Sequence, residues 1–271
     1  MSTPSLPRLT VIGQCINPSR ADVADALRSG DYDVLARLAC AQFDAGAQCI
    51  DICAAMPGID EAHALREVLE RVRAACPKAL PVLDSPDEAA LRRALCGWHG
   101  DIILNSTTAE PHKLERMLAL AGEHGAQLIV LAMRDRPGDA RARLDALRYA
   151  VRRADSMGFA RGRLIADCLV LAECRQPGQA LITLDALTCA RDELGVRTLL
   201  GISNASSGMP GREAINRALL SMAVSRGLDY AMIDPLNAGM ADTVSALRLL
   251  MGEDDDGMGY ISRWRELHGG Q

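Results

Sequence analysis

Eight short β-branched or apolar runs recur along the chain, each separated from the next by a longer segment of helical period. The runs are LTVIGQC (9–15), CIDIC (49–53), LPVLDS (80–85), DIILNS (101–106), QLIVLAM (127–133), RLIADC (163–168), RTLLGISN (197–204) and LDYAMID (228–234). This alternation is the pattern of parallel βα units, because a parallel strand rejoins its sheet only through a crossover long enough to hold a helix. Between the runs lie amphipathic segments such as EAHALREVLERVRAA (61–75) and PHKLERMLALAGEHG (111–125). In the second, Leu114, Met117, Leu118 and Ala121 fall on one face. Gly46, Gly125, Gly158, Gly195 and Gly227 each stand shortly before a strand, where a left-handed residue closes a helix. Eight such units in 271 residues fit a (β/α)8 barrel. The alternative is a doubly wound open sheet, which more often carries a G-x-G-x-x-G turn after its first strand; none is present.

In a barrel the C-terminal ends of the strands form one mouth, and chemistry is placed there. Those ends carry Asn17 just past the first strand, Asp51 in the second, Asp84 in the third and Asn105 in the fourth. Asp167 follows in the sixth, Ser203 and Asn204 in the seventh, and Asp234 in the eighth. Any one of them has a plain reading as a turn or cap residue, and DSP (84–86) and DP (234–235) are good turn sequences on their own. Seven or eight at corresponding positions predict a polar ring at one end of the barrel.

Composition narrows what that ring serves. A net charge of -5 and a pI near 5.6, with 3% aromatic residues, argue against a binder of nucleic-acid backbone. The longest apolar runs, such as LIVLAM (128–133), fall far short of the roughly 20 residues of a membrane-spanning helix, and MSTPSLPRLT (1–10) holds no apolar signal segment. Nine cysteines without a C-x-x-C pair read as reduced thiols. The expectation is a soluble cytoplasmic protein, with no partnership with nucleic acid or membrane. No lysine stands at a strand end for Schiff-base chemistry, and His63, His99, His112, His124 and His268 lie in helices, loops or the tail, away from any metal set. No tightly bound metal is expected.

Amides and carboxylates with few cations suit a flat heterocycle with an amide–amidine edge, such as a pterin or guanine. One carboxylate accepts two parallel N–H bonds from that edge, and asparagine amides serve the neighbouring ring nitrogens and carbonyls. The segments VIGQCINPSR (11–20), PVLDSP (81–86), ILNSTTAE (103–110), IADCLVL (165–171) and GISNASSGMPGREAINRALLSMAVSRGLDYAMIDP (201–235) together resemble the methyltetrahydrofolate:corrinoid protein methyltransferase family. These are pterin-binding TIM barrels related to dihydropteroate synthase and to the folate domain of cobalamin-dependent methionine synthase.

The resemblance covers residues 9 to about 252. It implies an α/β (β/α)8 TIM barrel over residues 1–252, followed by a separate tail, 253–271. It implies methyl transfer between N5 of methyltetrahydrofolate, or a related pterin, and the cobalt of a corrinoid. Asp84, Asn105 and Asp167 stand where the family holds the pterin ring, and Asn204 where a mobile asparagine approaches N5. Asn17, Asp51, Ser203 and Asp234 complete the expected substrate ring, and Arg212 is placed to meet a folate glutamate, a corrinoid phosphate or a helix-terminal carboxylate. No D-x-H-x-x-G corrinoid segment is present, so the cobalamin is expected on a partner protein.

Departures from the family pattern cluster at three strands. Gln14-Cys15 stands where the family usually has Glu-Arg or Glu-Asn, Asp51-Ile52-Cys53 where it has Asp-x-Asn, and Cys168 where a proline follows Asp167. Cys15, Cys53 and Cys168, with Cys174 nearby, are read as small apolar filler, as a zinc thiolate set, or as retuning for another methyl donor. The tail GEDDDGMGYISRWRELHGGQ (252–271) has an acidic run that reads as a solvated loop, then Tyr260, Ile261, Trp264 and Leu267 at helical spacing. That stripe is expected to dock on the barrel or to form a homodimer contact. Two alternatives remain: a pterin or corrinoid-protein binding module without turnover, and dihydropteroate synthase, whose GGES-like second-strand loop is replaced here by DICAAMPG (51–58).

Overall fold

The computed structural model describes residues 8–175 and 177–268. Eight parallel strands close on themselves in sequence order. The first half of the barrel runs β1 (Thr10–Ile16), β2 (Cys49–Cys53), β3 (Leu80–Asp84) and β4 (Ile103–Thr108); the second runs β5 (Gln127–Leu131), β6 (Leu164–Asp167), β7 (Arg197–Gly201) and β8 (Tyr230–Ile233). Around them lie α1 (Ala21–Ser29), α2 (Tyr32–Asp44), α3 (Glu61–Ala75), α4 (Glu88–Ala94) and α5 (Pro111–Glu123). The outer layer continues with α6 (Ala140–Ser156), α7 (Gln179–Cys189), α8 (Arg212–Ser225) and α9 (Ala238–Leu250), and α10 (Met258–His268) packs against α9. Each of the five glycines expected to end a helix has a positive φ, between 62° and 101°.

The period of two along each strand divides the side chains between two cores. Those turned outward pack under the helices with the apolar stripes of α3, α5 and α6. Those turned inward contribute one residue per strand to a sealed floor: Ile12, Cys49, Val82, Ile103, Ile129, Ile165, Leu199 and Tyr230. Below it Arg197 closes the N-terminal end through the Tyr230 hydroxyl, the Gln127 amide oxygen at 2.6 Å and the Gly162 carbonyl at 2.5 Å. Two residues above the floor, the same periodicity turns Gln14, Asp51, Asp84, Asn105 and Asp167 into the barrel. Register sets neighbours side by side: Cys53 pairs with Asp84, and Asp84 with Asn105.

The tail departs from a purely solvated loop. Glu253 accepts the Leu9 N–H at 3.0 Å, and Asp254 accepts N–H bonds from Gly259 and Tyr260 at the start of α10. Arg263 pairs with Asp242 on α9 at 3.1 Å. Tyr260, Ile261 and Trp264 are between 37% and 53% exposed, and the Leu267 side chain lies outside the described residues. Among the described residues no helix is long and apolar enough to cross a membrane.

Candidate active site at the barrel mouth

The mouth begins with an irregularity in β1. Its pairing with β2 shifts between Gly13 and Ile16, and the Cys15 N–H freed there is taken by Gln42 Oε1 of α2 at 2.9 Å. Gly13 makes room for that amide, since a Cβ there would sit 2.5 Å from it. The irregularity directs two successive side chains onto mouth groups. Gln14 Nε2 donates to Ser203 Oγ at 3.2 Å, and the Cys15 thiol donates to Asp234 Oδ1 at 3.0 Å.

Strands 2 to 4 build the acidic wall. Asn105 Nδ2 donates to Asp51 Oδ1 at 3.1 Å, which leaves the Asn105 oxygen for a ligand. Asp51 is 2% exposed; burial first, and the neighbouring Asp84 charge second, push its carboxyl well above the usual range. Burial also raises Asp84 to about 6, against the adjacent Cys53 thiol, which favours the anion. Glu61, the first residue of α3, faces Asp84 with a buried carboxylate oxygen that has no hydrogen-bond partner among the described residues.

Across the barrel, Asp167 is raised to about 6 by burial, opposed by the Leu169 N–H that its Oδ1 accepts at 2.8 Å and by the Arg143 charge. Beyond β7, Asn204 ends a single 3₁₀ turn, is exposed, and makes no side-chain hydrogen bond among the described residues. A Cβ on Gly201 would lie 3.1 Å from its amide nitrogen, so the glycine keeps that space open. Asn204 opens on a cavity of about 640 Å³ between the β6–α7 and β7–α8 loops, and Asp84 on a second of about 570 Å³ toward α4 and α5.

The other expected ring members make local hydrogen bonds. Asn17 Oδ1 accepts the Ser19 N–H in a turn, and Asp234 accepts the Leu236 N–H at 2.9 Å besides the Cys15 thiol. Arg212 pairs with no glutamate or aspartate among the described residues; it donates to Ser206 Oγ at 3.0 Å and to the Ser203 carbonyl at 2.9 Å, bracing the Asn204 loop. The thiols divide. Cys15 donates to Asp234, Cys53 lies beside Asp84 in the register of β2 and β3, and burial holds both thiols well above their usual range. Cys168 is fully buried beside the Ala166 carbonyl, and exposed Cys174 donates to Ser207 O at 3.0 Å. No three His, Cys, Asp or Glu side chains among the described residues come together as a metal set.

Comparison with known proteins follows the same outline. The model of the pterin binding enzyme family matches residues 13–234. The chain belongs to that family. Within it, this pterin-binding chain is 25% identical over 253 residues to the methylcorrinoid:tetrahydrofolate methyltransferase of Eubacterium limosum, covering 91% of this chain and 92% of that one. Its barrel superposes on dihydropteroate synthase of Stenotrophomonas maltophilia with bound imidazole, at a TM-score of 0.67 and 20% identity over 92% and 94% of the two chains. The enzyme of Vibrio fischeri gives 0.67 at 17% identity over 91% and 94%. At those identities the likeness is one of fold.

Gln14, Gln42, Glu61 and Arg143 are the mouth residues that sequence reasoning did not mark as ligands or supports. Gln14 had a signal, as a polar residue in phase with the inward face of β1. The other three sit on helices, where nothing local distinguishes them from surface residues.

Proposed function

We propose that this chain transfers a methyl group between N5 of a methyltetrahydrofolate-type pterin and the cobalt of a corrinoid carried by a partner protein. The observation that carries the reading is the unengaged Asn204 amide at the rim of a buried ring of acids and amides. The Eubacterium limosum relative's name supports the same pair of substrates.

In this reading Asp84, Asn105 and Asp167 hold the flat ring by its hydrogen-bonding edge. A pterin lacking those donors is rejected because buried acceptors are left unpaired. The ring lies with its N5 side toward Asn204. A tertiary amine is a poor leaving group until it gains a proton, and an amide that both donates and accepts accommodates N5 in either state. The methyl group faces the open mouth, where the partner's corrinoid supplies or receives it. No GGES-like loop follows β2, where Cys53-Ala54-Ala55-Met56-Pro57-Gly58 stands instead, which disfavours the synthase chemistry of the structural neighbours. The reading extends to a homodimer through α10, which light scattering of the purified chain tests.

The deciding experiment follows the absorbance of Co(I) cobalamin mixed with the protein and methyltetrahydrofolate. Asn204→Ala is expected to slow transfer by about 10²–10³ while weakening pterin binding far less, the loss typical of one preorganised hydrogen bond. Asp84→Ala and Asp167→Ala are expected to abolish pterin binding measured by calorimetry. Wild-type transfer rates in Asn204→Ala sink the reading.

A further inference from the structure

Arg143, on the first turn of α6, is 0% exposed. Among the described residues no carboxylate lies within ion-pair distance of it; its guanidinium ends only on neutral oxygens. It donates to the carbonyls of Gly138 at 3.0 Å, Cys168 at 2.9 Å and Leu169 at 2.6 Å, to Thr183 Oγ1 at 3.0 Å and to Gln179 Oε1 at 3.2 Å. A buried cation is costly when no anion compensates it, and an apolar side chain of similar volume usually fills such a site at no loss. Filling space therefore does not account for an arginine here.

What the guanidinium grips is the turn after β6. Leu169 is the only non-glycine residue with positive φ among those described, at 63°, a conformation that costs an L-residue about 1–2 kcal/mol. Both of its backbone polar groups are pinned. Its carbonyl receives Arg143 and, at 2.8 Å, the Thr183 hydroxyl; its N–H ends on Asp167 Oδ1 at 2.8 Å. The left-handed turn thus fixes one Asp167 carboxylate oxygen and leaves the other without a hydrogen-bond partner among the described residues. Gln179, a further Arg143 partner, lines the cavity onto which Asn204 opens.

We propose that Arg143 is a positioning residue for the pterin site, clamping the turn at Leu169 and supplying the buried positive charge that the Asp167 carboxylate faces. This rests on the reading of Asp167 as a pterin ligand. The charged and titratable groups around Asp167 are few. They are Arg143 on α6 with Asp139 at its cap, and the Cys168 thiol, which burial keeps neutral; the paired residues of β5 and β7 are Leu131 and Leu199. Among the described residues Arg143 is the one cation acting on it. Lysine would keep the charge without the fork that reaches the two carbonyls, Thr183 and Gln179 together.

Two measurements separate this from the functional reading. The carboxyl titration of Asp167 is followed by NMR in the ligand-free chain labelled with ¹³C-aspartate, assigned with Asp167→Asn, in wild type, Arg143→Met and Arg143→Lys. Arg143→Met is expected to raise the Asp167 midpoint by about one pH unit, equivalent to a tenfold change in proton affinity, and Arg143→Lys to leave it near the wild-type value. Calorimetry with methyltetrahydrofolate is then expected to show binding about tenfold weaker in Arg143→Lys. If Arg143→Met does not fold, Thr183→Val tests the clamp with the charge intact and is expected to weaken binding in the same sense. An unmoved Asp167 midpoint in Arg143→Met, or wild-type affinity in both Arg143→Lys and Thr183→Val, overturns the inference. A wild-type chain that binds no pterin overturns the functional reading instead, and the titration still decides the charge assignment.

Discussion

At the scale of residues, the mouth holds acids that burial keeps out of their ordinary range. Asp84 titrates at about 6 in the folded chain against an ordinary 3.8. Between those values the folded state keeps a proton that the unfolded state has released. Stability therefore falls as pH rises from about 4 to about 6 and stays at the lower level above. Asp84→Asn removes that loss. It is expected to be more stable than wild type by about 1–2 kcal/mol at pH 7, with the difference closing toward pH 4, as denaturant melts at the two pH values will show. The same substitution should weaken pterin binding at pH 7, so stability and affinity move in opposite directions. That opposition is the mark of a site whose charges are held for a ligand and not for the fold.

At the scale of elements, β1 shows how a mouth is aimed from outside the barrel. Gln42 reaches from α2 to cap the Cys15 N–H, and Gly13 provides the space for it. Gly13→Ala would press a methyl group against the Gln42 amide, so an expected loss of about 1–3 kcal/mol should appear in urea melts. Binding should suffer as well, because Gln14 and Cys15 lose the geometry that brings them to Ser203 and Asp234. Strand existence was legible in the alternating runs, and the helix ends in their glycines. Strand ends were less so: β7 stops at Gly201, and Ser203 and Asn204 lie in the following 3₁₀ turn, because a loop that presents an amide has left the ladder. Likewise β4 begins at Ile103 and runs on to Thr108, its pairing with β5 shifting register between Leu104 and Thr107.

At the scale of the whole molecule, the tail is part of the closure of the barrel's outer layer. Glu253 ties the chain entry at Leu9 to the end of α9, and α10 is fastened to α9 through Arg263 and Asp242. A chain ending at Gly252 is expected to lose about 1–2 kcal/mol, read as a fall of several degrees in Tm by differential scanning calorimetry. Asp84, Asn105 and Asp167 lie in the strands toward the opposite, C-terminal mouth of the barrel. Pterin binding should therefore survive at temperatures where the truncated chain is folded.

The sequence by itself determined the eight βα units, the inward phase of Asp51, Asp84, Asn105 and Asp167, and the glycine breaks, because these follow from periods of 2 and 3.6 residues and from local backbone preference. It also carried the family likeness. Only the tertiary structure decided which groups meet: Asn105 with Asp51, Cys53 with Asp84, Cys15 with Asp234, and Arg143 with the turn behind Asp167. It also brought Asn17 to the Ser19 N–H and Arg212 to Ser206. The reason is physical. Periodicity states which face a side chain occupies, whereas contact across a closed barrel depends on register and on helices far away in the chain, and neither leaves a local trace.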